Sequence, residues 1–406
     1  MNLQYVQGSA LFTNTNKVPK QYPYLTENIT TDVIIIGGGI TGSILAYYFT
    51  RQNIDCVLLE KNRIAFGSTS ITTTLLQYEL DSNLRDLEQY TPLENSLKAY
   101  KLGLQALLEI DTFIQDQGNN CDYEKKDTLL YTSKKEEIAA LEEEYNLRKA
   151  NGLDVQFLTA SNNPFSFDLK AGVYTIEGGA QLDPYKYTHQ LMEVSSSLGL
   201  RAFENTEVIK LNYLTDDVVV ETTYGHKVNG KIIIVATGYN TQLFTPRNFG
   251  TKTTTFNIAT KPVNSFEGWP GRVLIRDNSS TYHYFRTTHD HRILAGGEDV
   301  SFVPGIFDEA TAQEKYSLLE QRLKNMFPLI KGIEADYKYC GAFASTQDNL
   351  GFLGKDPHND KLWYCLGYGA NGILFAILGG LMLSKLYLGS FDQNLKLFKV
   401  DRFDGN

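Results

Sequence analysis

The chain has 406 residues, and its 38 Lys+Arg against 47 Asp+Glu give a formal net charge of −9. That length implies about two or three domains around a sizeable core, and 42% hydrophobic with 21% charged residues excludes a disordered or fibrous chain. The acidic balance excludes the basic footprint of a nucleic-acid binder.

Residues 1–30 are polar and rich in Tyr, Asn and Thr, a leader without strong periodicity. It has no basic segment followed by an apolar one, so no signal peptide is expected. Asp32-Val-Ile-Ile-Ile36 is a short apolar run of the kind a parallel sheet buries on both faces. A helical pattern (Ile44, Leu45, Tyr48, Phe49) and a second buried strand, Asp55 to Glu60, complete a β-α-β unit. Thr91-Pro-Leu-Glu94 and Ser133-Lys-Lys-Glu136 read as capping boxes opening helices that stop near Gly118 and Gly152. Asp183-Pro184 opens another helix, ending near Gly199. Val218–Thr222 and Lys231–Thr237 read as strands, and Thr311–Met326 as a helix. From Leu362 to Ser384 no charge occurs over 23 residues, long enough to cross a bilayer. The break at Gly369-Ala-Asn-Gly372 fits a strand, a glycine turn and a buried helix from about Gly372 to Leu388 better.

Gly37-Gly-Gly39-Ile40-Thr41-Gly42 matches GxGxxG between a buried strand and a helix. Gly37 allows the tight turn, Gly39 lets backbone approach a pyrophosphate, and Gly42 lets helix and strand pack closely. The helix N-terminus offers free N–H groups to phosphates. Glu60 closes the second strand, where its carboxylate can bind ribose hydroxyls; this disfavours a 2′-phosphate and leaves NAD and FAD open. Cys56, Cys121, Cys340 and Cys365 lie far apart, with no His cluster at ligand spacing, so no metal site is expected. Their pattern suits a reduced, cytoplasmic setting.

These motifs together resemble the D-amino-acid oxidase, glycine oxidase and sarcosine oxidase family of FAD-dependent amine oxidoreductases. The resemblance rests on Asp32 through Glu60 and Lys61, and on the small-residue loop Phe66 to Gln77 with Ser68, Thr69 and Thr74. It extends to Thr206–Val208 with Ile234-Val-Ala-Thr237-Gly238, and to the block from Gly341 through Thr346 and Asp348 to Gly367-Tyr-Gly369-Ala-Asn371-Gly372-Ile373. It implies an α/β fold: a Rossmann-like FAD-binding domain of the glutathione-reductase type, with an inserted α+β substrate domain. The expected division gives residues 31–99, 166–244 and 336–406 to the FAD and residues 100–165 and 245–335 to the substrate. The glycine turn at Asn371–Ile373 opens a helix, whose positive end would favour negative charge on a reduced flavin. Some members of the family bind FAD covalently through a cysteine five positions before the Thr of the C-terminal block. Here that position is Gly341 and Cys340 is one further away, so non-covalent FAD is expected.

The resemblance also implies the reaction, hydride transfer from an amine-bearing carbon to flavin N5, giving an imine that hydrolyses. Alternation along Tyr282-His-Tyr284-Phe-Arg286 puts two tyrosines and a guanidinium on one face. Tyr284 is expected in the substrate pocket, and Arg286 is expected to clamp a substrate anion. His283, His289 and His291 are expected at the surface. Oxidation of a 2-hydroxy acid or polyol phosphate is the alternative chemistry, and a non-catalytic dinucleotide-binding module the alternative class. The electron acceptor, dioxygen or another carrier, stays open.

Overall fold

The computed structural model describes residues 5–404 and arranges them around three sheets. The six-stranded sheet runs in the order Phe352–Asp356, Asn359–Leu366, Ile232–Val235, Val33–Ile36, Cys56–Leu59, Arg201–Phe203. Its neighbours are parallel apart from the edge hairpin strand Phe352–Asp356. Every residue of Val33–Ile36, Cys56–Leu59 and Ile232–Val235 is buried, because both faces are covered. Val33, Ile35, Cys56 and Leu58 point into a core shared with helices Ile40–Arg51, Leu93–Gln117, Pro184–Ser197 and Gly372–Tyr387. Ile34, Ile36, Val57 and Leu59 point the other way, onto Val218, Val220 and Val228 of a four-stranded sheet.

The third sheet has ten strands, and alternation divides its central strands between two environments. Phe256, Ile258, Ile275, Phe285 and Ile293 pack under helix Glu309–Met326, around Trp269 stacked on Phe327 at 4.3 Å. Thr255, Asn257, Arg276 and Tyr284 face a large cavity on the opposite side.

Several local readings need correction. The leader is structural: Val6–Gly8 pairs with Ala335–Ser345, placing Val6 opposite Gly341, and helix Leu11–Thr15 buries Leu11 and Phe12. These pieces are too short to show a period and are ordered by the edge and core they meet. The expected domain boundaries also differ from the strand pairing. Ala171–Gln181 and most of Ala335–Ser345 fall in segments assigned to the FAD, yet both belong to the ten-stranded sheet. Conversely, most of Leu93–Gln117 falls in a substrate segment but packs with the helices over the parallel sheet. Both capping boxes fail. The first helix starts after Pro92 with no side-chain cap, and the second is a 3-10 turn, Lys135–Glu137, leading into Ile138–Ala150. Asp183 does cap its helix, accepting from the N–H of Tyr185 at 2.9 Å and Lys186 at 3.0 Å. The uncharged stretch forms a strand and the buried helix Gly372–Tyr387. Among the described residues, no helix is long and apolar enough to cross a membrane.

Candidate active site

A cavity of about 760 Å³ lies between the glycine loop and the ten-stranded sheet. At one side stand Gly37, Gly39, Ile40, Thr41, Glu60 and Lys61, with Val208, Thr237 and Gly238 close by along the same lining. The glycines differ in what they do. Gly37 has φ +113°, and a Cβ there would stand 2.5 Å from the Ala236 carbonyl oxygen. A Cβ on Gly42 would overlap the Gly37 carbonyl oxygen, so Gly42 is a packing residue and does not line the cavity. A Cβ on Gly39 would meet only the Thr69 hydroxyl, at 3.1 Å; the rest of its surroundings is open cavity. The Thr41 N–H, in the first turn of Ile40–Arg51, has no carbonyl of its own helix to bond.

Glu60 accepts hydrogen bonds from the Gly38 and Asn62 N–H groups, each at 2.7 Å, which fixes its carboxylate at the cavity wall. Burial raises this carboxyl above its ordinary range, and the two N–H groups oppose that shift.

The loop after the second strand brings Ser68, Thr69 and Thr74 to the cavity, and Thr69 accepts the Ile40 N–H at 2.9 Å. Thr74 has φ +55°, an uncommon conformation for a β-branched residue. Arg286 explains how it is held, and here the expected role is corrected. Its side chain runs under this loop, donating to the carbonyls of Thr73, Leu182 (3.0 Å) and Thr287 (3.1 Å) and reaching the Thr74 hydroxyl at 3.4 Å. Arg286 is 2% exposed, is absent from the large cavity's wall and has no carboxylate within ion-pair distance among the described residues. Burial pushes its pKa down to about 10. It is a positioning residue for the Thr73–Thr74 loop, not an anion clamp facing the cavity.

At the far side the cavity meets Gly367, Gly369, Ala370, Gly372 and Ile373, the start of the C-terminal helix. Asn371 is corrected: it is buried outside the lining, donating to the Glu79 carbonyl at 2.9 Å while its own Oδ1 has no partner. Gly341 is corrected as well. A Cβ there would overlap Ile71 and stand 2.5 Å from the Tyr5 carbonyl oxygen, so it is needed for packing, while Ala342 and Phe343 reach the cavity.

The wall on the ten-stranded sheet holds Thr255, Asn257, Arg276, Tyr282, Tyr284 and Asp299. Tyr284 donates to Asn257 Oδ1 at 2.9 Å, and Gly296 leaves room for this pair. Arg276 was not singled out from the sequence. It is 4% exposed, donates Nη1 to the carbonyls of Leu80 (3.0 Å) and Asp81 (2.5 Å), and leaves Nε without a partner. Its signal in the sequence is an arginine interrupting the apolar run Val273-Leu-Ile-Arg276. His283 is another correction, since it is buried between Asp277 Oδ2 at 2.8 Å and Glu298 Oε1 at 2.9 Å. Burial opposes the charge on both carboxyls, yet the hydrogen bonds they accept hold each below its usual range. His289 and His291 are exposed.

A family model described as FAD dependent oxidoreductase matches residues 32–386. The chain belongs to this family of FAD-dependent oxidoreductases. It is 24% identical to glycine oxidase of Bacillus subtilis over 387 residues, covering 91% of this chain and 97% of that one. It is also 24% identical to gamma-glutamylputrescine oxidoreductase of Escherichia coli over 379 residues, 91% and 86% of the two chains. The glycine oxidase structure of Geobacillus kaustophilus superposes with a TM-score of 0.75 at 21% identity, covering 92% of this chain and 99% of that one.

The site of this FAD-dependent oxidoreductase fits its cofactor. Two helix N-termini, at Ile40 and Gly372, open on one cavity, and Gly39 leaves a side-chain-free cradle at the first. Cys340 is 1% exposed inside the aromatic core, and none of the four cysteines lines the cavity. Acid precipitation should therefore release all the FAD into solution. Flavin retained on the washed precipitate would show a covalent bond.

Proposed function

We propose that this enzyme oxidises a small amine or amino acid, with the sheet wall around Arg276 and Tyr284 binding the substrate. Bound FAD supplies the hydride acceptor. The chain's own residues orient the donor: Tyr282 and Tyr284 stand on the wall opposite the glycine loop, and Arg276 lines the cavity beside them. Arg276 is the one arginine among the described residues lining the cavity, and this cation set beside two tyrosines is the observation that carries the reading, because a guanidinium in a water-poor pocket can hold a carboxylate through two parallel hydrogen bonds. The similarity to glycine oxidase and gamma-glutamylputrescine oxidoreductase supports an amine as the reacting group. Loss of hydride and a proton from H–C–NH₂ gives the imine, and water then yields a carbonyl compound and ammonia. Orientation in a water-poor pocket suffices for this step, so no protein base is assigned.

Anaerobic mixing with primary amines, α-amino acids, 2-hydroxy acids and glycerol phosphate tests the proposal through flavin bleaching. Reduction by an amine or amino acid is the expected result, and reduction by hydroxy compounds alone would overturn it. With a carboxylate-bearing substrate, Arg276→Ala should slow reduction by about thirtyfold or more, given roughly 2–5 kcal/mol for a buried charged contact. Arg276→Lys should recover little, because it lacks the planar fork.

A further inference from the structure

We propose that Asp81 is a positioning residue that sets a fixed negative charge against the N-terminus of helix Gly372–Tyr387 and so holds down the reduction potential of the bound FAD. This rests on the reading that this helix end serves the flavin. It does not depend on which substrate is oxidised.

Asp81 Oδ2 accepts the Ala370 N–H at 3.0 Å, and Oδ1 accepts the Tyr282 hydroxyl at 2.9 Å. A Cβ on Gly369 would stand 3.0 Å from the same Oδ2, so the carboxylate is pressed against the glycine turn. Gly369, Ala370 and Tyr282 line the cavity, while Asp81 stands behind them. Its backbone is pinned too, since the Asp81 carbonyl accepts from Arg276 and the next N–H, of Ser82, donates to Asn349 Oδ1 at 2.7 Å. Burial raises the Asp81 carboxyl above its usual range, while Ala370, Arg276 and Tyr282 support its charged form.

A helix N-terminus carries a positive partial charge of roughly half a unit, so one carboxylate bonded to it outweighs it at short range. FAD becomes more negative when it is reduced or adds sulfite. A carboxylate behind Ala370 and Tyr282 opposes both changes; Arg276, which lines the cavity, acts in the opposite sense, and neutralising Asp81 alone isolates the carboxylate's share. Reduced FAD then gives up its electrons more readily to the acceptor.

The test uses the holoenzyme and two readouts that need no substrate, the flavin midpoint potential and sulfite titration. Asp81→Asn keeps the shape and removes the charge. It should raise the potential by at least about 30 mV, the equivalent of a tenfold change in a two-electron equilibrium, and bind sulfite at least tenfold more tightly. Asp81→Glu keeps the charge and should stay near the wild-type potential. Asp81→Ser, smaller and neutral, should behave like Asp81→Asn and serves if the latter loads FAD poorly. Neutral variants that hold FAD at unchanged potential and sulfite affinity would overturn the proposal. So would loss of FAD from both, which would assign Asp81 a purely structural role. Failure of every amine to reduce the flavin would count against the proposed function and leave this test intact.

Discussion

Gly39→Val should give a folded protein that purifies without FAD. The Gly39 Cβ position touches only the Thr69 hydroxyl, 3.1 Å away, so the added side chain projects into the cavity rather than into the protein. That cavity space is where the backbone must come close to a pyrophosphate, and flavin occupancy should fall below about one tenth of wild type. Far-ultraviolet circular dichroism and visible flavin absorbance together check it: the first should be retained and the second lost. Gly42→Ala provides the contrast, because its Cβ would overlap the Gly37 carbonyl oxygen and force helix from strand. That variant should lose stability along with cofactor. Full FAD in Gly39→Val would show that the glycine loop does not hold the dinucleotide.

Arg148→Ala should be the most destabilising single substitution away from the cofactor. Arg148 is fully buried, with Nη1 at 3.0 Å from Glu79 and Nε at 2.8 Å from Glu144. The guanidinium lies near the rings of Tyr78 and Tyr100, with its carbon 5.7 and 5.4 Å from their centres. Removing it strands two buried carboxylates and opens a cavity, a loss on the order of 3–5 kcal/mol. Glu144 also accepts the Leu84 N–H at 2.8 Å, and the Glu79 carbonyl holds Asn371 at the start of the C-terminal helix. The damage should therefore reach the cofactor site, and FAD should be released at a lower temperature than in the wild type. Combining Arg148→Met with Glu144→Gln should restore part of the loss, since one stranded charge is gone and the volume is refilled. A melting curve for Arg148→Ala that overlays the wild type would contradict this account.

The cofactor half of the enzyme was legible because its chemistry lies in consecutive residues. A buried strand, the run Gly37 to Gly42, a helix and Glu60 occur in a fixed local order, and the physical demand on each position is local as well. Strand alternation also identified Tyr282, Tyr284 and Arg286 as one face. It did not say what covers each part of that face. Tyr282 and Tyr284 border the cavity, but the Thr73–Thr74 loop crosses over Arg286, so the guanidinium turns to backbone carbonyls. Arg276, on a neighbouring strand, took the cavity position instead.

His283 and Asp81 show the same limit. The strand alternation predicts a surface place for His283, yet Asp277 and Glu298 enclose it. Asp81 has no motif around it; its significance comes from Ala370 and Tyr282, which are remote in the chain. By itself the sequence determined the α/β class and the glycine loop, since short-range order and periodicity encode them, and its motifs carried the resemblance to the flavin family. Only the tertiary structure decided which arginine lines the cavity and which charge stands at the C-terminal helix, because burial and pairing of a polar group depend on elements folded over it from elsewhere in the chain.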